Sequence, residues 1–359
     1  MPNEKNRMRE QRIRASWRTR ACTAGLCVGA QIFLAGCAVG MPLSLSSAWL
    51  SALPSLAFAA WLVVRCRRAL AAPVRRGRFA CAWHVLLALV LLGCSAFAAL
   101  SLVSFAQATL VEQSSAAWAE IMALLAVALC ALGGGMGASR LCFALRYALP
   151  ALTLALSLAA VPLRVPVGLF PILGSGVPQL IVSALSVLFG AVPALMLMLP
   201  PPELVLTGED AQPPAVPETG FFLVRVLLGA LSGAVLLFLA SACTTYESIA
   251  GSAQWGARLS MAIGNQSHEG VMQMLLVLAK LMAMLLLSAN MLCAAEQALL
   301  AAIPRLAKGR AGLLLLLALL GGCLAVMVFL GAAPLLAAAP VIAVPAALLA
   351  AYWGRRRKA

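Results

Sequence analysis

Ten stretches of about 20 consecutive apolar residues constrain this chain more than anything else in it. They run approximately Ala21 to Gly40, Ser46 to Val64, Ala80 to Phe105, Trp118 to Gly137, Leu141 to Pro162, Val177 to Leu199, Phe221 to Ser241, Glu269 to Leu292, Gly312 to Leu330 and Ala333 to Trp353. Each is long enough to cross a hydrocarbon layer of roughly 30 Å as an α-helix, the one single-segment structure that satisfies its own backbone there. With 63% hydrophobic and 10% charged residues over 359 positions, the chain cannot be a soluble globule. The expectation is an all-α membrane domain over 21–353.

Basic residues orient the bundle, because Lys and Arg accumulate in the cytoplasmic loops. If the first loop belongs outside, the inside segments hold 22 of the 26 Lys and Arg, and the outside loops hold only Arg164 and Arg258. That asymmetry predicts an even number of helices with both termini in the cytoplasm. Residues 1–20, with seven Lys and Arg, read as a cytoplasmic tail rather than a cleaved signal peptide. Residues 354–359 read as a second basic tail, and both suit anionic lipid headgroups. Residues 200–220 include a Pro-rich acidic stretch that reads as a cytoplasmic linker, and 242–268 as a long outside loop.

Several functions are disfavoured by what the chain contains. Its 11 Cys are scattered without a C-x-x-C pair or a neighbouring His, so they read as small buried hydrophobes. The one close acidic pair, Glu209 and Asp210, lies in the linker, which argues against metal-assisted or acid–base enzymology. No P-loop or nucleic-acid module is present, and no cofactor, metal or nucleic-acid partner is expected.

Ionisable and polar side chains inside such a bundle are costly, which makes them functional candidates. Lys280 falls near the middle of the eighth run, roughly 16 Å from its outer end. It is either tucked against Asn290, Glu296 or backbone carbonyls, or coupled to an ion or ligand. Gln31, central in the first run, either bonds a neighbouring helix or faces a ligand. Arg225, His84 and Trp83 read as interfacial anchors, and Glu112 and Glu120 as helix-end groups in water.

Glycine and proline add the remaining signal. Split as five plus five, the first and sixth runs correspond, and both are rich in helix breakers: Gly25, Gly29, Gly36, Gly40 and Pro42 in one, Gly174, Gly176, Pro178, Gly190 and Pro193 in the other. Repeat-built transporters break corresponding helices and line a midplane site with the freed backbone. Glycine also serves close helix packing, so both uses stand open.

At these residues the chain resembles the spore-germination permeases, the B subunits of nutrient germinant receptors, within the amino acid, polyamine and organocation transporter superfamily. The likeness is carried by Gly36 to Pro42 followed by Ala48-Trp49-Leu50-Ser51, by Gly134 ahead of Arg140, by Pro171-Ile172-Leu173-Gly174-Ser175-Gly176, and by Phe189-Gly190 with Pro200 beyond. Two positions depart from the family pattern: Ala191 stands where a Glu often follows the Phe-Gly, and Ala35-Gly36-Cys37 stands for a Gly-x-Gly. The first removes a membrane carboxylate suited to proton coupling. The resemblance implies two inverted five-helix repeats, about 21–165 and 170–353, with helices one and six broken. It also implies a pocket for a small nutrient such as an amino acid near Gln31, Ala35, Gly36, Phe189 and Gly190, with Lys280 as a substitute for a coupling ion. Germinant receptor A and C subunits would be its partners in the spore inner membrane. A secondary amino acid or amine permease and a non-transporting scaffold subunit are the alternatives.

Overall fold

The computed structural model describes residues 2–40, 45–70, 78–109, 116–148, 150–152, 155, 176–201, 216–243, 270–330, 342–349 and 351–352. Among these residues there is no β-strand; the chain is helical almost throughout. Helix α1 spans Pro2–Ala35 and continues as a π-helix over Gly36–Gly40. A 3-10 turn, Leu45–Ser51, leads into α2, Ala52–Leu70. Then come α3 (Arg78–Thr109), α4 (Ala116–Leu132) and α5 (Gly134–Ala144). Helix α6, Val177–Val187, passes directly into a 3-10 helix, Leu188–Met198. Helices α7 (Thr219–Cys243), α8 (Gly270–Ala302) and α9 (Ala311–Leu330) follow, with a further helical stretch over 342–349.

Six helical segments are long and apolar enough to cross a membrane: 10–38, 47–70, 79–105, 177–198, 219–238 and 278–302. Helices α4 and α5 make a seventh if that bent pair is one span. The bend is set by Gly134, whose φ of +76° is disfavoured for any residue with a Cβ. Each of the six overlaps one of the apolar runs, 278–302 lying about ten residues beyond 269–292; the bent pair takes in the run 118–137 and the start of 141–162, and the run 312–330 holds a shorter apolar helix, 311–326. The runs 141–162 and 333–353 fall partly outside the described residues, as do the linker over 200–220 and the loop 242–268; the last six residues lie wholly outside them.

Helix α1 begins at Pro2, so the basic stretch is continuous with the span that follows. Its last turn is not solvated: Trp17 is fully buried with its ring edge-on to Phe222 at 5.6 Å, and Arg20 is only 3% exposed. Along its length α1 runs against α7 at backbone distance. A Cβ on Gly25 would come within 2.5 Å of the Arg225 carbonyl oxygen, and one on Gly29, Gly229 or Gly233 would overlap the opposing backbone. The two Gly-x-x-x-Gly pairs, Gly25 with Gly29 and Gly229 with Gly233, therefore interlock. This packing maximises dispersion between helices whose association in lipid gains little from the hydrophobic effect. Elsewhere α3 and α8 lie side by side, tied by reciprocal bonds in which Ser95 Oγ donates to the Ser288 carbonyl at 2.9 Å and Ser288 Oγ to the Ser95 carbonyl at 3.0 Å.

Candidate functional site

Both helices that the sequence marks as breakable change winding: Gly36, Gly40, Gly190 and Pro193 fall in the segments that leave α-geometry, whereas Gly25 and Gly29 lie in regular α-helix. Helix α1 leaves α-geometry at Gly36, where the ladder opens to π-type bonding, a form that recurs at functional sites. A side chain at Gly36 would drive a Cβ to 2.6 Å from Leu237 Cδ1 of α7. Helix α6 starts from Gly176, whose φ of +86° requires glycine, with a proline in its first turn fixing the helical φ. It tightens to 3-10 at Leu188, just ahead of Phe189-Gly190. Pro193 supplies the reason: it lacks the N–H that an α-helix would aim at the Phe189 carbonyl, and its ring crowds that carbonyl. Besides the bent α4–α5 pair and these two transitions, the described backbone departs from α-helix in the 3-10 turns Leu45–Ser51 and Pro304–Arg310.

The two irregular regions meet. A Cβ on Gly190 would lie 2.6 Å from the Ile32 Cα, so helix six crosses helix one at backbone contact, next to Gln31. Phe189 is fully buried against Phe97, edge-on at 5.2 Å, and Ala35 and Ala191 are buried as well. Gln31, Ala35, Phe189 and Gly190 thus belong to one dense neighbourhood of helices one and six, with Gly36 turned against α7. Gln31 itself is 0% exposed, and neither Oε1 nor Nε2 of its amide has a hydrogen-bond partner. Of the two readings of this residue, a bond to a neighbouring helix is not made. Most buried amides are satisfied, and one left bare costs about 1–3 kcal/mol.

Lys280 lies elsewhere. It is 5% exposed on α8, its Nζ 5.9 Å from the ring centre of Phe33 and 5.5 Å from that of Phe105. Lys280 and Phe33 stand on the wall of a cavity of about 80 Å³ between α1, α7, α8 and the region around Cys142 and Pro150. Leu26, Ala30, Leu34, Ser232, Leu236 and Met284 also line it. None of the other five sequence-predicted site residues does. The sequence does not reveal this cavity, because its walls are ordinary apolar residues drawn from four distant segments.

Midway along α1 another buried cation has a defined partner set. The Arg20 guanidinium donates to the Met196 carbonyl at 3.2 Å from Nε and 3.0 Å from Nη2, and to Gln297 Oε1 at 3.1 Å. It joins α1, the end of the 3-10 helix and α8, where a tail charge was expected. Arg225 and Arg146 bond carbonyls of their own helices, Phe221 at 2.9 Å and Phe143 at 2.6 Å, and cover aromatic rings, the latter also Tyr147. Glu120, expected in water, is 9% exposed with Oε1 unpartnered, because α4 packs against α3 and α8. Glu112 lies outside the described residues, and so do Pro171 to Ser175. Among the described residues no group of three His, Cys, Asp or Glu could hold a metal ion.

This arrangement is similar to solved secondary transporters. Mhp1, a nucleobase-cation-symport-1 family transporter in a closed conformation with bromovinylhydantoin bound, superposes with a TM-score of 0.55 at 12% identity, covering 94% of this chain and 77% of that one. A manganese transporter of Eremococcus coleocola matches with a TM-score of 0.55 at 12% identity over 94% of this chain and 76% of its own. The same transporter in complex with an aromatic bis-isothiourea substituted compound gives 0.53 at 14% identity, over 93% and 77%. At these identities the likeness is one of fold. The chain is an integral membrane protein with a transporter-type helical architecture, and these neighbours are transporters rather than enzymes. No protein-family model and no curated protein matches it.

Proposed function

We propose that this protein is a transporter-like receptor for a small nutrient of the amino-acid type, held where helices one and six change winding, and that it serves as a germinant receptor B subunit triggering spore germination. The observation that carries the ligand site is Gln31: a fully buried amide with both polar atoms unpartnered, beside the Gly190 crossing and one turn from the π-helix at Gly36. A bound carboxylate or ammonium supplies the missing partners. Backbone groups released at Gly36 and near Phe189-Gly190 contribute the rest, as broken-helix ends do in transporters. The germination role rests on the sequence resemblance, with A and C receptor subunits as partners and the spore inner membrane as location. Lys280 supplies a fixed positive charge in place of a coupling cation. The architecture proposed is two inverted five-helix repeats, with both termini cytoplasmic.

The test is thermal unfolding of the purified protein across an amino-acid library, for wild type and Gln31→Leu. Wild type is expected to be stabilised by its ligand, as any ligand of the folded state requires. Gln31→Leu is expected to lose that response while unfolding no earlier, since the substitution removes an unsatisfied amide. A preserved ligand response in Gln31→Leu removes this residue from the site. In a spore-forming host, Gly36→Leu at normal protein level should abolish germination by the same nutrient.

A secondary amino acid or amine permease is the second reading, favoured because the neighbours in fold named above are transporters. Uptake into proteoliposomes separates carrier from sensor. The dense contact of Gly190 with Ile32 favours the third, a non-transporting scaffold, for which no ligand would shift the unfolding temperature.

A further inference from the structure

Two buried thiols from different helices meet on one wall of the cavity. Cys27 of α1 is 2% exposed and Cys142 of α5 is 4% exposed; both are free cysteines, and their side chains are close enough to hydrogen-bond to each other. The pairing is built into the helix contact. The Thr23 hydroxyl, one turn before Cys27, donates to the carbonyl of Ser139, one turn before Cys142, at 3.4 Å. From the other side α8 holds the same turn of α5, with Asn290 Nδ2 donating to the Ala138 carbonyl at 3.4 Å. Cys27 and Cys142 both line the space of about 80 Å³, and Met284 of α8 lines it too. Three sulfur-bearing side chains from three helices therefore border one cavity.

Thiolates and thioethers are soft donors, which favour Cu(I) over the hard ions that oxygen ligands hold. Zinc seeks four ligands in a tetrahedron, whereas Cu(I), a closed-shell monovalent ion, is satisfied by two or three sulfurs. Binding breaks two S–H bonds and forms two S–Cu bonds; two protons leave to water, and the ion keeps its oxidation state. The resulting bis-thiolate complex carries one net negative charge. That sign suits the place, because the Lys280 ammonium stands on the same cavity wall and Arg20 lies in electrostatic reach of Cys27.

We propose that Cys27 and Cys142, with Met284 as a third donor, form a binding site for a single Cu(I) ion. The inference goes beyond the nutrient-receptor reading and stands whether the protein senses or carries its ligand.

Anaerobic titration of the reduced full-length protein in lipid nanodiscs with Cu(I), in competition with the chromophoric chelator bicinchoninate, tests it by counting the ions held. Wild type is expected to retain one Cu(I) against the chelator. Cys27→Ser and Cys142→Ser are each expected to lose that equivalent, and Cys323→Ser, at an exposed thiol, to keep it. Met284→Leu is expected to weaken binding on the order of tenfold, the lower end of what loss of a supporting group costs a metal site. Mn(II), a hard ion, is expected not to displace the copper. Absence of a retained equivalent in wild type, its persistence in both serine variants, its loss in Cys323→Ser, or displacement by Mn(II) overturns the proposal, and unchanged affinity in Met284→Leu overturns the third donor. If a serine variant does not fold, X-ray absorption of the wild type at one equivalent of copper decides: sulfur neighbours alone are expected, and a nitrogen or oxygen neighbour overturns the site. Because the readout is copper held by sulfur, its failure is distinct from failure of the amino-acid response tested above.

Discussion

Gly29 and Gly36 lie seven residues apart on the same helix, and they do opposite work. At Gly29 the backbone stays α-helical, and the missing side chain lets α7 approach until Gly233 faces the Gly29 carbonyl. At Gly36 the α-ladder ends, and the neighbour across the gap is the movable end of Leu237. One glycine glues and the other loosens. Glycine therefore marks a site only where the hydrogen-bond ladder itself changes, and the partner across the gap decides which case applies.

Substitutions separate the two cases by size. Gly29→Leu should be the most damaging, because the clash is with backbone and neither helix can yield: a loss of about 3 kcal/mol, read by thermal unfolding in detergent or as absent folded protein. Arg20→Met should come next at about 2 kcal/mol, since it removes the charge-assisted bonds to the Met196 carbonyl and to Gln297 Oε1, leaving that carbonyl only its bond from the Leu199 N–H, and Arg20→Lys should recover part of the loss. Gly36→Leu should cost about 1 kcal/mol, because a flexible leucine can move aside. Its effect on ligand response should far exceed its effect on stability. If Gly36→Leu unfolds the protein as readily as Gly29→Leu, the distinction drawn between the two glycines is wrong. Ser95→Ala should be smallest, about 0.6 kcal/mol, the average for a hydrogen bond between membrane helices, checked by the same unfolding measurement.

Hydropathy made the spans legible, because the length of an apolar run maps directly onto the thickness it must cross. The winding change at Phe189-Gly190 was legible for a local reason: Pro193 acts on its own ladder, within a few residues of itself. Gly25 and Gly29 could not be told from Gly36, because their role depends on Gly229 and Gly233, some 200 positions away. The same limit applies to Arg20. Counted by its place in a basic stretch it is a tail charge, and only the fold brings Met196 and Gln297 to it. The Lys280 cavity was half legible: the charge stood out, but the space around it arises where surfaces of unrelated segments fail to fill.

The grip of Arg20 on Met196 has a mechanical side. The segment it holds, Leu188–Met198, is an 11-residue 3-10 helix, which rises about 2.0 Å per residue where an α-helix rises about 1.5 Å. Rewinding that stretch to α-geometry would shorten it by roughly 5 Å, more than a hydrogen bond can stretch. Pro193 keeps the coil out of α-geometry and the guanidinium pins its far end, so any recoil of helix six would also have to tear Met196 from the middle of helix one.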